Sequence, residues 1–265
     1  MPHTFLLPSL FISHGAPDVV LHPDLPASAF LRELGARLPR PRAILVASAH
    51  WTTAEVTVSS AVNPETVHDF SGFPPALQVM RYQAPGDPIV AEAVVTALSK
   101  AHITATTQPR GFDHGVWVPL SLMYPAADIP VVAISVQPHR DGPHHVAVGQ
   151  ALVELRRSGV LVIGSGAATH NLSELQPGSE LPPTWVTEFE TWLIERAAVG
   201  DFQALAAWKT HGPHAARNHP TPEHWLPLLV AMGAGDSAPG HLLHHSTTYG
   251  VLQMTMLAFG KSDFN

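Results

Sequence analysis

Ala43-Ile44-Leu45-Val46-Ala47-Ser48-Ala49-His50-Trp51 is the stretch whose reading decides the fold. Its first seven residues carry no charge, no glycine and no proline. The run is continuously apolar rather than alternating, and it is too short for an ordinary helix. That pattern marks a strand buried on both faces, as in a parallel sheet. It ends on a histidine, so the chain places an imidazole at the carboxyl end of a buried strand. Similar runs occur at Leu6–Ser13, Val56–Ser59, Val131–Val136 and Val160–Gly164. Helical spacing separates them at Pro26–Leu38, Pro88–Lys100, Val146–Arg157 and Thr184–Ala198. Asp201 reads as the N-cap of a helix Phe202–Trp208, and Pro222 as the first residue of a helix reaching Met232. The Trp and Leu stripes on these helices read as core. Alternating strands and helices predict an α/β fold with a central, largely parallel sheet. A Pro-rich segment from Asn63 to Pro88 is inserted between units. A long loop of this kind is either functional or a packed surface excursion, and the two readings stand level.

Composition narrows the chemistry. The 265 residues hold 14 Lys+Arg against 21 Asp+Glu, a net charge of −7, with 18 histidines and no cysteine. Absence of cysteine excludes disulfide frameworks, thiolate metal sites and cysteine nucleophiles. A net negative chain lacks the basic face that neutralises phosphates, so no nucleic-acid partner is expected. No apolar run reaches the roughly 18–20 residues that span a bilayer, so no membrane is expected either. The apolar stretch Met1–Ser13 lacks a basic start and is broken by Pro8, so it does not read as a signal peptide, and the expected location is the cytoplasm.

The position of the histidines matters more than their number. His14 follows the strand Leu6–Ser13, His50 follows Ala43–Ala49, and His170 lies just past Val160–Gly164. Any one of these alone reads as a polar residue satisfied by backbone. Three together line the crevice where open parallel sheets bind ligands, and neutral imidazole suits iron, zinc, copper and nickel. His114, between Gly111 and Gly115, reads as presented by a tight loop, with Asp113 available to orient a ring. Glu223 and His224 fall in the first turn expected after Pro222. His3, His22, His102, His139, His144, His145, His211, His214 and His241 lack such contexts and read as surface or loop residues. Tyr249, His244 and His245 are within reach of a pocket, though packing or surface roles are the default.

The motifs resemble the class III, LigB-type extradiol ring-cleavage dioxygenases, specifically the subgroup similar to 4,5-DOPA dioxygenase. They are Phe11-Ile12-Ser13-His14-Gly15-Ala16-Pro17, Ser48-Ala49-His50-Trp51, His68-Asp69-Phe70-Ser71-Gly72-Phe73-Pro74, Tyr82-Gln83-Ala84-Pro85-Gly86-Asp87-Pro88, Gly111-Phe112-Asp113-His114-Gly115, Thr169-His170-Asn171-Leu172 and Pro222-Glu223-His224-Trp225-Leu226-Pro227. Each is weak alone, but they run in family order across nearly the whole chain. The resemblance implies one catalytic domain over residues 1–265, with a mixed, largely parallel sheet flanked by helices. It implies His14, His50 and His224 as metal ligands, with Glu223 as an alternative to His224. His170 would be the acid/base residue or an additional ligand, and His114 would contact substrate. Fe(II) would serve turnover, and zinc could occupy the site in purified protein. The partners would be a DOPA-like or related catechol and O2, joined into a ring-opened semialdehyde. A zinc-dependent hydrolase and a non-catalytic metal-binding relative on the same fold are the alternatives.

Overall fold

The computed structural model describes residues 6–179, 181–236 and 238–261, so His3 lies outside the described residues. The strands are β1 Ser9–Ser13, β2 Ala43–Thr52, β3 Val56–Ser59, β4 Ala105–Gln108, β5 Val131–Val136, β6 Val160–Gly166, β7 Gly240–His244, β8 Thr247–Thr248, β9 Leu252–Gln253 and β10 Met256–Phe259. Eight form one sheet in the order β4-β3-β5-β2-β6-β1-β10-β7, while β8 and β9 pair separately. The central four, β5-β2-β6-β1, are all parallel. β3 lies antiparallel to β5, β10 to β1, and β7 to β10. The fold is therefore α/β with a mixed, largely parallel sheet, as the alternation predicts.

The unbroken apolar runs have a physical reason. Ile44 and Val46 of β2 face one core with Leu31, Trp117 and Leu120. Ala43, Leu45 and Ala47 face the other with Val94, Leu152 and Val230. Helices Pro26–Arg37 and His114–Met123 cover the first face. Pro88–Lys100, Gly142–Ala151 and Leu226–Ala234 cover the second. A fully buried Val, Leu or Ile contributes about 1.5–3 kcal/mol, so both faces of each central strand must be apolar.

Several expected boundaries differ. β2 continues to Thr52, which puts His50 inside the strand. The helix expected at Val146–Arg157 is two helices, Gly142–Ala151 and Val153–Arg157. Asp141 starts the first by accepting the His144 backbone N–H at 3.0 Å. Asp201 caps as expected, accepting from Ala204 N, but its helix stops at Ala206. Pro222 opens a turn, not a helix: its carbonyl accepts from Trp225 N, and the helix begins at Leu226. His114 is not in a loop but is the first residue of a helix. His145 is not a surface residue: it is 1% exposed, with its ring between Gln137 N and the Asp141 carbonyl. Among the described residues, no helix is long and apolar enough to cross a membrane.

Candidate active site

His14, His50, His114, His170 and His224 come together on one cavity of about 390 Å³. The carboxyl ends of the parallel strands deliver the first two. His14 directly follows β1, with its backbone N–H bonded to the Gly166 carbonyl at 3.0 Å. Gly15 then turns the chain at φ +69°, a conformation that favours glycine. His50 sits where the β2–β5 ladder breaks register between Ala47 and Thr52. His224 arrives on the turn that passes over the end of β6. A side chain at Gly166 would lie 2.2 Å from the His224 carbonyl oxygen, so only glycine permits this crossing. His170 is anchored by its backbone N–H on the Asn218 carbonyl at 2.8 Å.

Three Nε2 atoms converge. Those of His14 and His50 are 3.1 Å apart, and those of His50 and His224 are 3.2 Å apart. Each Nδ1 faces an acceptor behind its ring. His14 Nδ1–H donates to Ser165 Oγ (2.9 Å), whose own proton goes to the Gly115 carbonyl. His224 Nδ1–H donates to Glu223 Oε1 (3.1 Å). His50 Nδ1 lies 3.5 Å from Asp69 Oδ2. With the protons on Nδ1, three lone pairs aim at one another, an arrangement that a cation stabilises. His14, His50 and His224 could therefore hold a metal ion, their ligand atoms all lying within 4.8 Å of one another. Burial and the neighbouring imidazoles push His14 and His224 well below 6.5, and His50 to about 3, so the rings are neutral and ready to ligate.

His170 and His114 flank this trio. The His170 ring stacks on that of His224, with centroids 3.4 Å apart and planes 11° from parallel. Burial pushes His170 down to about 4, so it is a neutral base at neutral pH. His114 donates its backbone N–H and its Nδ1–H to Asp69 Oδ1, at 3.0 and 2.9 Å. Its Nε2 is the nitrogen left for the cavity. Burial alone would raise the Asp69 carboxyl, but the His114 hydrogen bond and the nearby imidazoles outweigh it and hold the group at about 2.

The carboxylate that orients the rings is thus Asp69, where the sequence pointed to Asp113. Asp113 is fully buried and instead accepts from Ser48 Oγ (2.6 Å) and Arg110 Nη2 (3.2 Å). Asp69 belongs to the Pro-rich insertion, which also contributes Phe70 and Phe73 to the cavity. The signal was present in the His68–Pro74 motif, but it carried no assigned chemistry. Tyr249 lines the cavity and donates to Asp18 Oδ2 at 2.8 Å, whereas His244 stacks on Phe30.

Residues 10–260 match the family described as the catalytic LigB subunit of aromatic ring-opening dioxygenase. The chain belongs to the LigB family. It is 41% identical over 249 residues to a 4,5-DOPA dioxygenase extradiol from Beta vulgaris, covering 92% of this chain and 93% of that one. It is 38% identical over 234 residues to one from Escherichia coli K12, covering 87% and 86%. The crystal structure of an uncharacterized protein from Escherichia coli K12 superposes with a TM-score of 0.79 at 32% identity, covering 96% of this chain and 100% of that one. The LigB chain is accordingly an extradiol ring-opening dioxygenase. Enzymes of this family use a non-haem metal, and the donor set of the histidine trio fits one.

Proposed function

We propose that the protein opens the ring of a DOPA-like or related catechol beside the diol, with a divalent metal held by His14, His50 and His224. The observation that carries this reading is the convergence of three Nε2 atoms on an apolar cavity, with the Nδ1 atoms of His14 and His224 hydrogen-bonded to acceptors and that of His50 facing Asp69 at 3.5 Å. Iron(II) bound there would supply acidification of the diol and the one-electron chemistry that lets O2 react with a closed-shell ring. Zinc would fit the same imidazoles without that redox chemistry.

The remaining steps belong to side chains. His170, neutral and beside His224, accepts a proton from one catechol hydroxyl as the diol binds, and returns it as the ring-opened product forms. Stacking on His224 fixes its plane. His114, with Nδ1 locked to Asp69, turns Nε2 to the substrate. Phe70 and Phe73 cover the ring and exclude water. Both atoms of O2 enter the product, a hydroxymuconic semialdehyde, so no external reductant is needed. Glu223 serves as the acceptor behind His224 in place of a ligand.

Anaerobic loading with Fe(II), addition of a catechol panel and admission of O2 test the reading. One O2 consumed per yellow product formed is expected. Neither uptake nor product, with metal shown to be bound, would refute it. His14→Ala should lose the metal, while His170→Ala should keep it and lose most turnover. Release of metal by His170→Ala would instead make His170 an additional ligand.

A further inference from the structure

Away from the histidines and Asp69, most polar groups on the cavity wall are already paired. Ser13 Oγ donates to the Thr255 carbonyl at 2.8 Å and accepts from Ala168 N at 3.0 Å. Thr169 Oγ1 donates to the Val251 carbonyl at 2.6 Å and accepts from Gln253 N at 2.8 Å. No lysine or arginine lines the cavity among the described residues. Two lining residues, Tyr249 and Gln253, keep unused capacity, and both belong to the small hairpin of β8 and β9.

Tyr249 occupies the turn of that hairpin at φ +51°, a left-handed conformation that bulky residues avoid. Strain of this kind collects at ligand clamps, where a side chain must be kept in place. The hydroxyl proton of Tyr249 goes to Asp18 Oδ2 at 2.8 Å, so the phenol oxygen can accept a further hydrogen bond but cannot donate one. Asp18 Oδ1 is buried and has no hydrogen-bond partner, and His22, 4.0 Å from Oδ2, is too distant to bond. Tyr249 and Asp18 together are a negatively charged acceptor. Gln253, only 2% exposed, offers the opposite. Its Oε1 accepts from Thr247 Oγ1 at 2.9 Å, which leaves the Nε2 N–H groups buried without an acceptor. A buried donor or acceptor left unpaired costs the desolvation of that group, so each gains from a ligand that pairs it.

We propose that this hairpin clamps an α-amino acid substituent on the catechol ring: Tyr249 and Asp18 take its ammonium group, and Gln253 Nε2 donates to its carboxylate. The proposal deepens the ring-cleavage reading and rests on catechol being the ligand of the cavity. A neutral amide suffices for the carboxylate, because the ammonium of the same substituent balances its charge.

Four catechols separate the two contacts. L-DOPA carries both groups, dopamine only the ammonium, 3,4-dihydroxyphenylpropanoate only the carboxylate, and 4-ethylcatechol neither. Each is titrated calorimetrically into Fe(II)-loaded protein without oxygen, and O2 uptake is then recorded. Asp18→Asn keeps an acceptor for Tyr249 and removes the charge. It should weaken L-DOPA and dopamine at least about fivefold, without weakening the other two. Gln253→Glu keeps an acceptor for Thr247 and puts a carboxylate oxygen in place of the donor. It should weaken L-DOPA and 3,4-dihydroxyphenylpropanoate at least about fivefold, without weakening dopamine or 4-ethylcatechol. A merely structural role for either residue would weaken all four alike, and that result would overturn the proposal. So would variants that change the affinity of none. Binding and O2 uptake without the ligand-specific losses would thus remove the clamp alone. Ligand-specific losses without O2 uptake would leave the clamp standing and remove ring cleavage alone. Failure of every catechol to bind would remove both.

Discussion

Replacing Asp69 by asparagine removes one charge and one acceptor from the site without changing its shape. Asp69 Oδ1 holds both the backbone N–H and the ring Nδ1–H of His114, and Oδ2 lies 3.5 Å from His50 Nδ1. Asparagine keeps one oxygen. With that oxygen on His114, its amide N–H group faces the His50 Nδ1–H, and two donors meet. Relief requires the His50 proton to move to Nε2, the atom facing His14 and His224. A protonated Nε2 has no lone pair for a metal. The flipped amide is worse, because it sets a donor against both N–H groups of His114. Losing an acceptor behind a ligating ring typically costs 10–100-fold in metal affinity, or about 1.4–2.7 kcal/mol. Competition against a chromophoric chelator measures this directly, with no need for turnover. Urea unfolding of the metal-free protein should show a further loss of about 1–2 kcal/mol from the weakened His114 bonds. Asp113→Asn is the control, since Asp113 bonds Ser48 and Arg110 and no imidazole. Its effect should fall on stability, about 1–3 kcal/mol, more than on metal affinity. Metal affinity of Asp69→Asn within twofold of the parent, or the opposite ranking of the two variants, would refute the assignment of Asp69.

Gly166→Ala places a methyl group 2.2 Å from the His224 carbonyl oxygen. It should destabilise by about 3 kcal/mol, as overpacking does, and reduce metal binding as His224 is displaced; chemical unfolding and chelator competition read the two effects. Acid sensitivity should come in part from His145, whose burial lowers it from 6.5 to about 4. The unfolded chain then binds the proton that the folded one refuses. This contribution is complete above pH 6.5 and is lost as pH falls toward 4, the loss reaching about 2 kcal/mol at pH 5 and about 3 kcal/mol at most. Unfolding free energies of the parent and His145→Gln between pH 7 and 5 should converge as pH falls; parallel curves would refute this source.

The strands that could be read in the sequence were those whose environment is the same on both faces. β5 and β6 are buried along their whole length, and β2 as far as Ala49, because helices cover them on each side. β4 and β7 were missed because they are edge strands. β4 is only half-buried, and β7 reads Gly-His-Leu-Leu-His with its middle exposed, so neither shows a buried run. The helix start at His114 was hidden for a different reason. Asp113 stands at the N-cap but makes no capping bond, and the His114 N–H is taken instead by Asp69, 45 residues away. The same distance concealed the orienting carboxylate, since Asp113 is adjacent in sequence and Asp69 is adjacent in space. The five histidines that line the cavity had each been singled out by local context: strand ends for His14, His50 and His170, flanking glycines for His114, and the turn after Pro222 for His224. Turn chemistry misled at Pro222, where the chain must first cross over Gly166 before it can begin a helix.

Several buried polar positions of the chain are held by imidazoles rather than by charged groups. Buried imidazole offers one donor and one acceptor without a charge to desolvate. His145 uses both at the end of β5, between Gln137 N and the Asp141 carbonyl. His219, held to about 3 by burial, faces the Ala168 carbonyl beneath the segment that leads to His170. The proposed metal site applies the same property to a different end. Three neutral rings would leave the double charge of a metal ion uncancelled by its ligands. The carboxylates of Asp69 and Glu223 stand behind the rings, where they fix tautomers rather than neutralise the centre. The cavity walls supply no cation of their own. Positive charge would thus be concentrated at one point, where a deprotonated diol can meet it. An anion would be stabilised at the diol end, so the donor set would fix the orientation of a catechol in the cavity.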